Sequence, residues 1–422
     1  MKFFFIFLFF ILPVFSIYAG EITLQFEKSW VISANETITD VALNGSFILE
    51  NDFQQVLQKN VTDGAEFQII DNRTYVIFKS PEFSGIKTIT ATAMIHANYP
   101  IGIRDNPFFV PGRRNTTNLT RFDADISSIA ESLSSDKKTE LEVLSSLTDW
   151  TYRFIEYNLS YKDLPSPAIE VYHNPNAVCV GYTHLLISLL NSLGFETHFV
   201  SGYAFADEWQ AHAWAEAKVG EKWIPLDPTF RETLTLDARH IATSYSDDQS
   251  GAFDVLTARG KGFRFNSTVS IKTLDKQQFE EFLFVHPVLY DDELKIILYN
   301  PTEYYVTPTY ELLLPDYLLS PDSQILVIAP EESETRMYHL NTGKLEAGYA
   351  HTIPYYVDMQ GTNINGELTL VKGTLREASP TQYYEPPEVK TETCPLIGLA
   401  LVLILFSFRH TSLAYLHPDS SE

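Results

Sequence analysis

Cysteine is nearly absent. Only Cys179 and Cys394 occur in 422 residues, which excludes a scaffold built on disulfides. Basic side chains are also few: 30 Lys and Arg stand against 54 Asp and Glu, a net charge of −24. Non-specific nucleic-acid binding needs clustered cations to neutralise phosphates, so that class of function is excluded. No Gly-rich phosphate loop, EF-hand pattern, internal repeat or long low-complexity tract occurs. The 19 glycines and 22 prolines follow no collagen-like period. What remains is a globular composition, 45% hydrophobic and 20% charged. At ~150 residues per domain, the length predicts two to four domains.

The two ends are the most apolar parts. Residues 2–20 place one lysine before an apolar run that is interrupted at Pro13 and closes on Ala19-Gly20. This is the pattern of a secretory signal peptide (1–20); an uncleaved anchor is the alternative. Residues 394–408 read CPLIGLALVLILFSF. As a helix they reach ~22 Å against a hydrocarbon core of ~30 Å, so spanning needs help from a snorkelling Arg409 and from residues 411–416. Arg409 and His410 then mark the inner side. The expected topology puts residues 21–393 outside the cell and a short tail, 409–422, inside. Eight of the eighteen asparagines (Asn35, Asn44, Asn60, Asn72, Asn115, Asn118, Asn158 and Asn266) begin an Asn-x-Ser/Thr acceptor triplet, an excess that agrees with export.

Between the ends, the hydrophobic period changes twice. Residues 21–105 are rich in Ile, Val, Thr, Phe and Tyr, alternate in places, and break at Asn44-Gly45 and Asp63-Gly64, which predicts a small β-sandwich. Residues 100–122 form a linker. Ile126, Ile129, Leu133 and then Leu141, Leu144, Leu147, Trp150 and Phe154 recur at helical spacing. Strand patterns return over 265–375, predicting a second, immunoglobulin-sized sandwich. A Pro- and Glu-containing stalk, 377–393, leads to Cys394.

Residues 171–235 carry the chemistry. Leu185, Leu186, Leu189, Leu190 and Leu193 make an apolar helical stripe ended by Gly194, and Pro175-Asn176 sits where a loop enters. Cys179 therefore falls at or near a helix N-terminus, where free backbone N–H groups and the helix dipole favour a thiolate. A buried inert thiol is the plain alternative. Downstream, His212-Ala-Trp-Ala-Glu-Ala-Lys-Val219 alternates, Gly220-Glu221 reads as a turn, and Trp223-Ile-Pro-Leu-Asp227 follows. Pairing about that turn sets residue 214 opposite 227, which makes His212 and Asp227 diagonal neighbours on one face. A slip by one residue would separate them. A base beside a thiol, oriented by a carboxylate, is the arrangement that activates a nucleophile.

These segments resemble the transglutaminase-like core. The resemblance rests on Val178-Cys179-Val-Gly-Tyr-Thr-His-Leu-Leu, Leu193-Gly194, Val200-Ser-Gly-Tyr203, His212-Ala-Trp-Ala-Glu216 and Trp223-Ile-Pro-Leu-Asp227-Pro-Thr. It covers residues 123–262 at most and leaves the flanking regions untouched. It implies a papain-like fold with Cys179 as nucleophile, His212 as general base and acid, and Asp227 as orienting carboxylate. Residues 237–241 also resemble a stretch that follows the core in microbial members. Ala177 and His198 depart from the glycine and arginine that are frequent in the family.

The expected fold class is thus α+β and multidomain: an N-terminal β-sandwich, a papain-like transglutaminase core, a C-terminal immunoglobulin-like sandwich and one transmembrane helix. The expected function is acyl transfer or hydrolysis on peptide or protein amides, glutamine amides among them, through a thioester. A peptidase of the same fold and a non-catalytic recognition module are the competing readings. No cofactor is expected. His173, His184, His198 and Cys179 match no standard zinc spacing. Trp209, Glu208 and Gln210 are candidates to line the cleft, whereas Trp214 suits core packing equally well.

Overall fold

The structure is a computed structural model that describes residues 19–70, 72–106, 112, 116–278, 283–359 and 362–372. The expected stalk, membrane helix, tail and most of the signal peptide lie outside the described residues. Among the described residues, no helix is long and apolar enough to cross a membrane.

Strand β1 (Ala19–Leu49) is followed by β2 (Gln54–Val61), β3 (Ala65–Ile70) and β4 (Arg73–Asn98). β1 and β4 pair antiparallel from Glu21↔Asn98 to Leu49↔Arg73, with register breaks between Ala34 and Ile38 and between Ser46 and Ile48. Ile22, Leu24, Phe26, Trp30, Ile32 and Ala34 alternate into the core, as a period of two demands of a sheet with one buried face. Gly45 permits a close approach: a Cβ there would lie 2.7 Å from the Trp30 ring.

Four helices follow: α1 (Ala124–Ser134), α2 (Glu140–Phe154), α3 (Ala168–His173) and α4 (Cys179–Leu193). Asp123 caps α1 by accepting from the Asp125 and Ile126 N–H groups, and Thr139 caps α2 through the Glu142 N–H. Gly194, at φ 98°, ends α4 in the left-handed region. Two short strands, β5 (Glu156–Tyr157) and β6 (Asn176–Ala177), pair parallel just before Cys179.

The central sheet contains β7 (Glu196–Phe205), β8 (Trp209–Val219), β9 (Lys222–Asp227), β10 (Glu232–Thr233) and β11 (His240–Ser246), in the order β10-β9-β8-β7-β11. Its side chains divide between two cores. Phe199, Ala213, Ala215, Ala217 and Leu226 join the helices. Val200, Trp214, Ile241 and Ala242 join the N-terminal sheet.

Strands β12 (Val255–Arg259) and β13 (Phe263–Gln278) come next. Both pair with the edge of β1 that β4 leaves open. The N-terminal strands thus form one six-stranded sheet completed from beyond the central region, rather than a sandwich confined to 21–105. Residues 265–278 of the region expected to form the C-terminal sandwich therefore belong to the N-terminal sheet. The period-2 pattern of Phe263, Phe265, Val269 and Ile271 identifies a strand, but it does not name the partner edge.

The remaining strands are β14 (Phe284–Tyr290), β15 (Glu293–Tyr299), β16 (Thr309–Leu313), β17 (Asp322–Ile325), β18 (Ser333–His339), β19 (Ala350–Met359) and β20 (Thr362–Val371). They form two sheets, β14-β15-β18 and β17-β16-β19-β20, around a core of Leu294, Ile296, Leu298, Tyr310, Leu312, Ile353, Val357 and Leu370. Polar contacts tie this part to the central region. Arg231 bonds to Ser323 Oγ, its carbonyl accepts from Thr309 Oγ1 at 3.3 Å, and its guanidinium pairs with the buried Asp149 of α2.

Candidate active site

Cys179 is the first residue of α4, preceded by the extended Val178, and it is 9% exposed. The first turn is pressed tightly against its surroundings. A Cβ on Gly181 would come within 2.5 Å of Ala177 Cβ and 3.2 Å of Ser166 Cβ. Thr183, one turn on, has its hydroxyl 2.9 Å from Cys179 O and 3.1 Å from Ala213 O on β8. That single hydroxyl fixes the turn bearing Cys179 against the neighbouring strand.

The hairpin β8–β9 has the register Ala215↔Leu226, which extends to 214 opposite 227. His212 and Asp227 meet diagonally, with His212 Nε2 2.7 Å from Asp227 Oδ2. Asp227 Oδ1 accepts from the Thr229 and Phe230 N–H groups at 2.7 and 3.0 Å. The Phe230 ring stacks on His212 at 4.7 Å and 19°, holding the imidazole plane. With Nε2 committed to Asp227, the other ring nitrogen is left for the thiol.

The electrostatics match that arrangement. Burial by itself depresses the His212 pKa, but the Asp227 charge and hydrogen bond, with a further contribution from Cys179, override it and carry it up to about 10. Burial pushes Asp227 upward, yet His212 and His240 hold its carboxyl well below the usual carboxylate range. An imidazolium beside Cys179 favours the thiolate.

One residue at the centre of this cluster is absent from the sequence-derived triad. His240 Nε2 lies 3.0 Å from the same Asp227 Oδ2, and the ring is 1% exposed. Its only sequence signal is the resemblance of residues 237–241 to a stretch that follows the core. Tyr157 is another such residue. It is 49% exposed and sits on β5 in register with Ala177. Its phenol is raised by burial first and then by the charges of Cys179 and Asp227.

The remaining candidates resolve by position. His198 lies between the rings of Trp223 (3.6 Å) and Tyr245 (4.8 Å), with Nδ1 3.5 Å from Glu216 Oε2. His184 is buried against Ser166 O at 2.8 Å, and burial depresses its pKa to about 4. His173 is exposed near Asp123 and Asp125. Among the described residues, His173, His184, His198 and Cys179 do not form one donor set. Two other groups bring metal-competent atoms within 4.8 Å of one another: His212, Asp227 and His240, and Asp123, Asp125 and His173. In both, carboxylates already serve as hydrogen-bond acceptors, Asp227 for two imidazoles and Asp123 for the α1 cap. Trp214 is core, at 1% exposure. Trp209 lies at the turn end of the β7–β8 hairpin, opposite Phe205. There a cavity of about 350 Å³ is lined by Tyr203, Phe205, Asp207, Glu208, Trp209 and Ile271, among others. Gln210 is exposed.

Residues 127–228 match the model of the transglutaminase-like superfamily. No curated protein matches the sequence. Among solved structures, a candidate cysteine protease from Cytophaga hutchinsonii is 19% identical at a TM-score of 0.47, covering 62% of this chain and 93% of its own. Red sea bream transglutaminase is 8% identical at a TM-score of 0.22, covering 85% of this chain and 95% of its own. A candidate protease from Parabacteroides distasonis is 8% identical at 0.22, covering 51% and 63%.

Proposed function

We propose that this protein, whose residues 127–228 belong to the transglutaminase-like superfamily, is a thiol acyl-transfer enzyme acting on peptide or protein amides, with Cys179, His212 and Asp227 as its catalytic triad. The observation that carries this reading is the placement of Cys179 at the start of α4 beside an imidazole whose far nitrogen lies 2.7 Å from a buried carboxylate.

The chemistry follows from those positions. The Cys179 thiolate adds to the amide carbonyl carbon, and the carbonyl oxygen becomes an oxyanion near the N–H groups of the first turn of α4. His212, already protonated, gives its proton to the amide nitrogen. The C–N bond breaks, the amine leaves and a thioester remains. An amine or a water molecule then attacks the thioester carbonyl. His212 takes the proton of that nucleophile, the C–S bond breaks, and the thiolate and imidazolium are restored. An amine yields a new amide, whereas water yields an acid. Asp227 orients the ring and stabilises its charge throughout.

The test uses the full chain with a glutamine-containing protein and a labelled primary amine, beside Cys179→Ala. Incorporation of label or cleavage by the wild type alone supports the reading. Equal, null behaviour of both over a broad substrate panel removes it and favours a recognition module.

We infer further that residues 21–393 face the cell exterior, anchored through residues 394–408. The apolar ends and the sequon excess support this reading, as does the exposure of Asn35, Asn44, Asn60, Asn72, Asn118 and Asn266. Sequencing the mature N-terminus and assaying the membrane fraction tests it. A chain that retains Met1 and stays out of the membrane fraction would overturn it.

A further inference from the structure

Asp227 Oδ2 is shared by two imidazoles, His212 Nε2 at 2.7 Å and His240 Nε2 at 3.0 Å. The other ring nitrogen of His240 lies 2.9 Å from the Asp237 carbonyl oxygen. A carbonyl and an ionised carboxylate only accept hydrogen bonds, so both ring nitrogens of His240 must donate. A ring that donates from both nitrogens is an imidazolium. His240 is therefore a buried, fixed cation, and its ring centroid is 5.7 Å from that of His212.

We propose that His240 is a positioning residue for the catalytic pair, a permanent cation that shares the Asp227 carboxylate and thereby keeps His212 able to give up its proton. This rests on the triad reading above. A lone Asp227 would bind the His212 imidazolium so firmly that proton release to a leaving amine would be impeded. The second cation divides the hold of the carboxylate and repels the first.

The charged groups around His240 come from each neighbouring element. Asp227 lies on β9 and His212 on β8. Glu232 on β10 has Oε2 3.9 Å from His240 Nδ1, and the Asp237 carboxylate is paired with Arg239. Glu232 is itself raised to about 7, by burial first and then by Asp237 and Asp227, with His240 opposing. Above that pH it is anionic and partly offsets His240. Neutralising Glu232 must therefore act on His212 with the opposite sign to neutralising His240.

The experiment is the pH dependence of Cys179 carboxymethylation by iodoacetate in the full chain, followed on the Cys179 peptide by mass spectrometry so that Cys394 does not contribute. An anionic reagent prefers the thiolate–imidazolium pair, so the rate rises as the thiolate forms and falls as His212 loses its proton. In His240→Gln, which keeps a donor but loses the charge, the alkaline limb moves up by about one to two pH units, from unit charges under 6 Å apart at intermediate dielectric. In Glu232→Gln, which keeps the acceptor for the Asp237 N–H, the alkaline limb moves down. A His240→Gln limb that stays in place or falls overturns the proposal. If that variant does not fold, an unmoved limb in Glu232→Gln overturns it instead. A wild-type profile with no thiolate at acidic pH overturns the triad reading itself, so the two failures are distinguishable.

Discussion

The Thr183 hydroxyl lies 3.1 Å from the Ala213 carbonyl oxygen, and Ala213 follows His212 directly. The same hydroxyl is 2.9 Å from Cys179 O. One side chain therefore sets the distance between the turn that bears Cys179 and the strand that bears His212. Thr183→Val keeps the branched shape and removes the hydroxyl. With the Ala213 carbonyl left unpaired in a buried site, it should cost about 1–3 kcal/mol in stability. It should also slow Cys179 alkylation at neutral pH more than the stability loss explains. Urea titration and site-resolved alkylation on one preparation check both effects.

Gly181 tests the same turn from its other side. In an exposed helix, glycine to alanine stabilises by about 1 kcal/mol. Here the added Cβ would lie 2.5 Å from Ala177 Cβ, so overpacking decides the sign. Gly181→Ala should destabilise by about 1–3 kcal/mol and displace Cys179 relative to His212. Thermal unfolding checks the sign, since a rise in Tm would show that the turn has room to spare.

The raised pKa of His212, about 10 in the folded chain against the ordinary 6.5, has a consequence for stability. Between those values the folded state holds a proton that the unfolded state has released. The contribution is fully present below pH 6.5 and is lost as pH climbs through 10. Asp227 has the opposite sense: its lowered pKa stabilises above 3.8 and is lost on acidification. His212→Gln should flatten the alkaline fall in stability by about 1–3 kcal/mol. The flattening is partial, because His240 is also raised: burial lowers it, but the Asp227 hydrogen bond and the charges of Glu232 and Asp227 together override that. Chemical denaturation at neutral and alkaline pH measures the difference.

The proposed grouping of Cys179, His212 and Asp227 was legible because these residues lie in short stretches whose local structure their own sequence dictates. Gly194 ends the helix that places Cys179, and the Gly220-Glu221 turn sets the register that joins His212 to Asp227. His240 was not legible as a partner. Its contact with Asp227 crosses 13 positions and depends on how the chain returns from β10 to β11. The placement of β13 was illegible for a related reason: alternation identifies a strand, while its neighbour depends on which edge of a sheet remains open, and here β13 pairs from Ala34↔Phe263 to Ala19↔Gln278.

Among the described acceptor triplets, Asn158 stands apart. Its Nδ2 donates to Asn176 Oδ1 at 3.3 Å and its Oδ1 caps Ser160 N, whereas Asn35, Asn44, Asn60, Asn72, Asn118 and Asn266 are exposed. If the chain is exported through a glycosylating pathway, Asn158 should be the least occupied of these seven. Peptide mass spectrometry after enzymatic deglycosylation in heavy-oxygen water checks the order. Full occupancy at Asn158 would mean that the loop before Cys179 opens more than its hydrogen bonds indicate.

The shared core predicts how the protein unfolds. Val200, Trp214, Ile241 and Ala242 of the central sheet are buried with Ile22, Phe26 and Ile95 of the N-terminal sheet. β12 and β13, encoded after the central region, pair with β1, encoded before it. Neither layer can bury its apolar face alone, so the two should lose structure in one transition. Trp214→Ala removes a side chain at 1% exposure and should cost about 3–5 kcal/mol. Because the two layers share that indole, the loss should lower both together. Hydrogen exchange resolved by peptide separates the outcomes: β1 and β8 amides should lose protection by the same factor. Loss confined to β8 would mean that the N-terminal sheet folds independently.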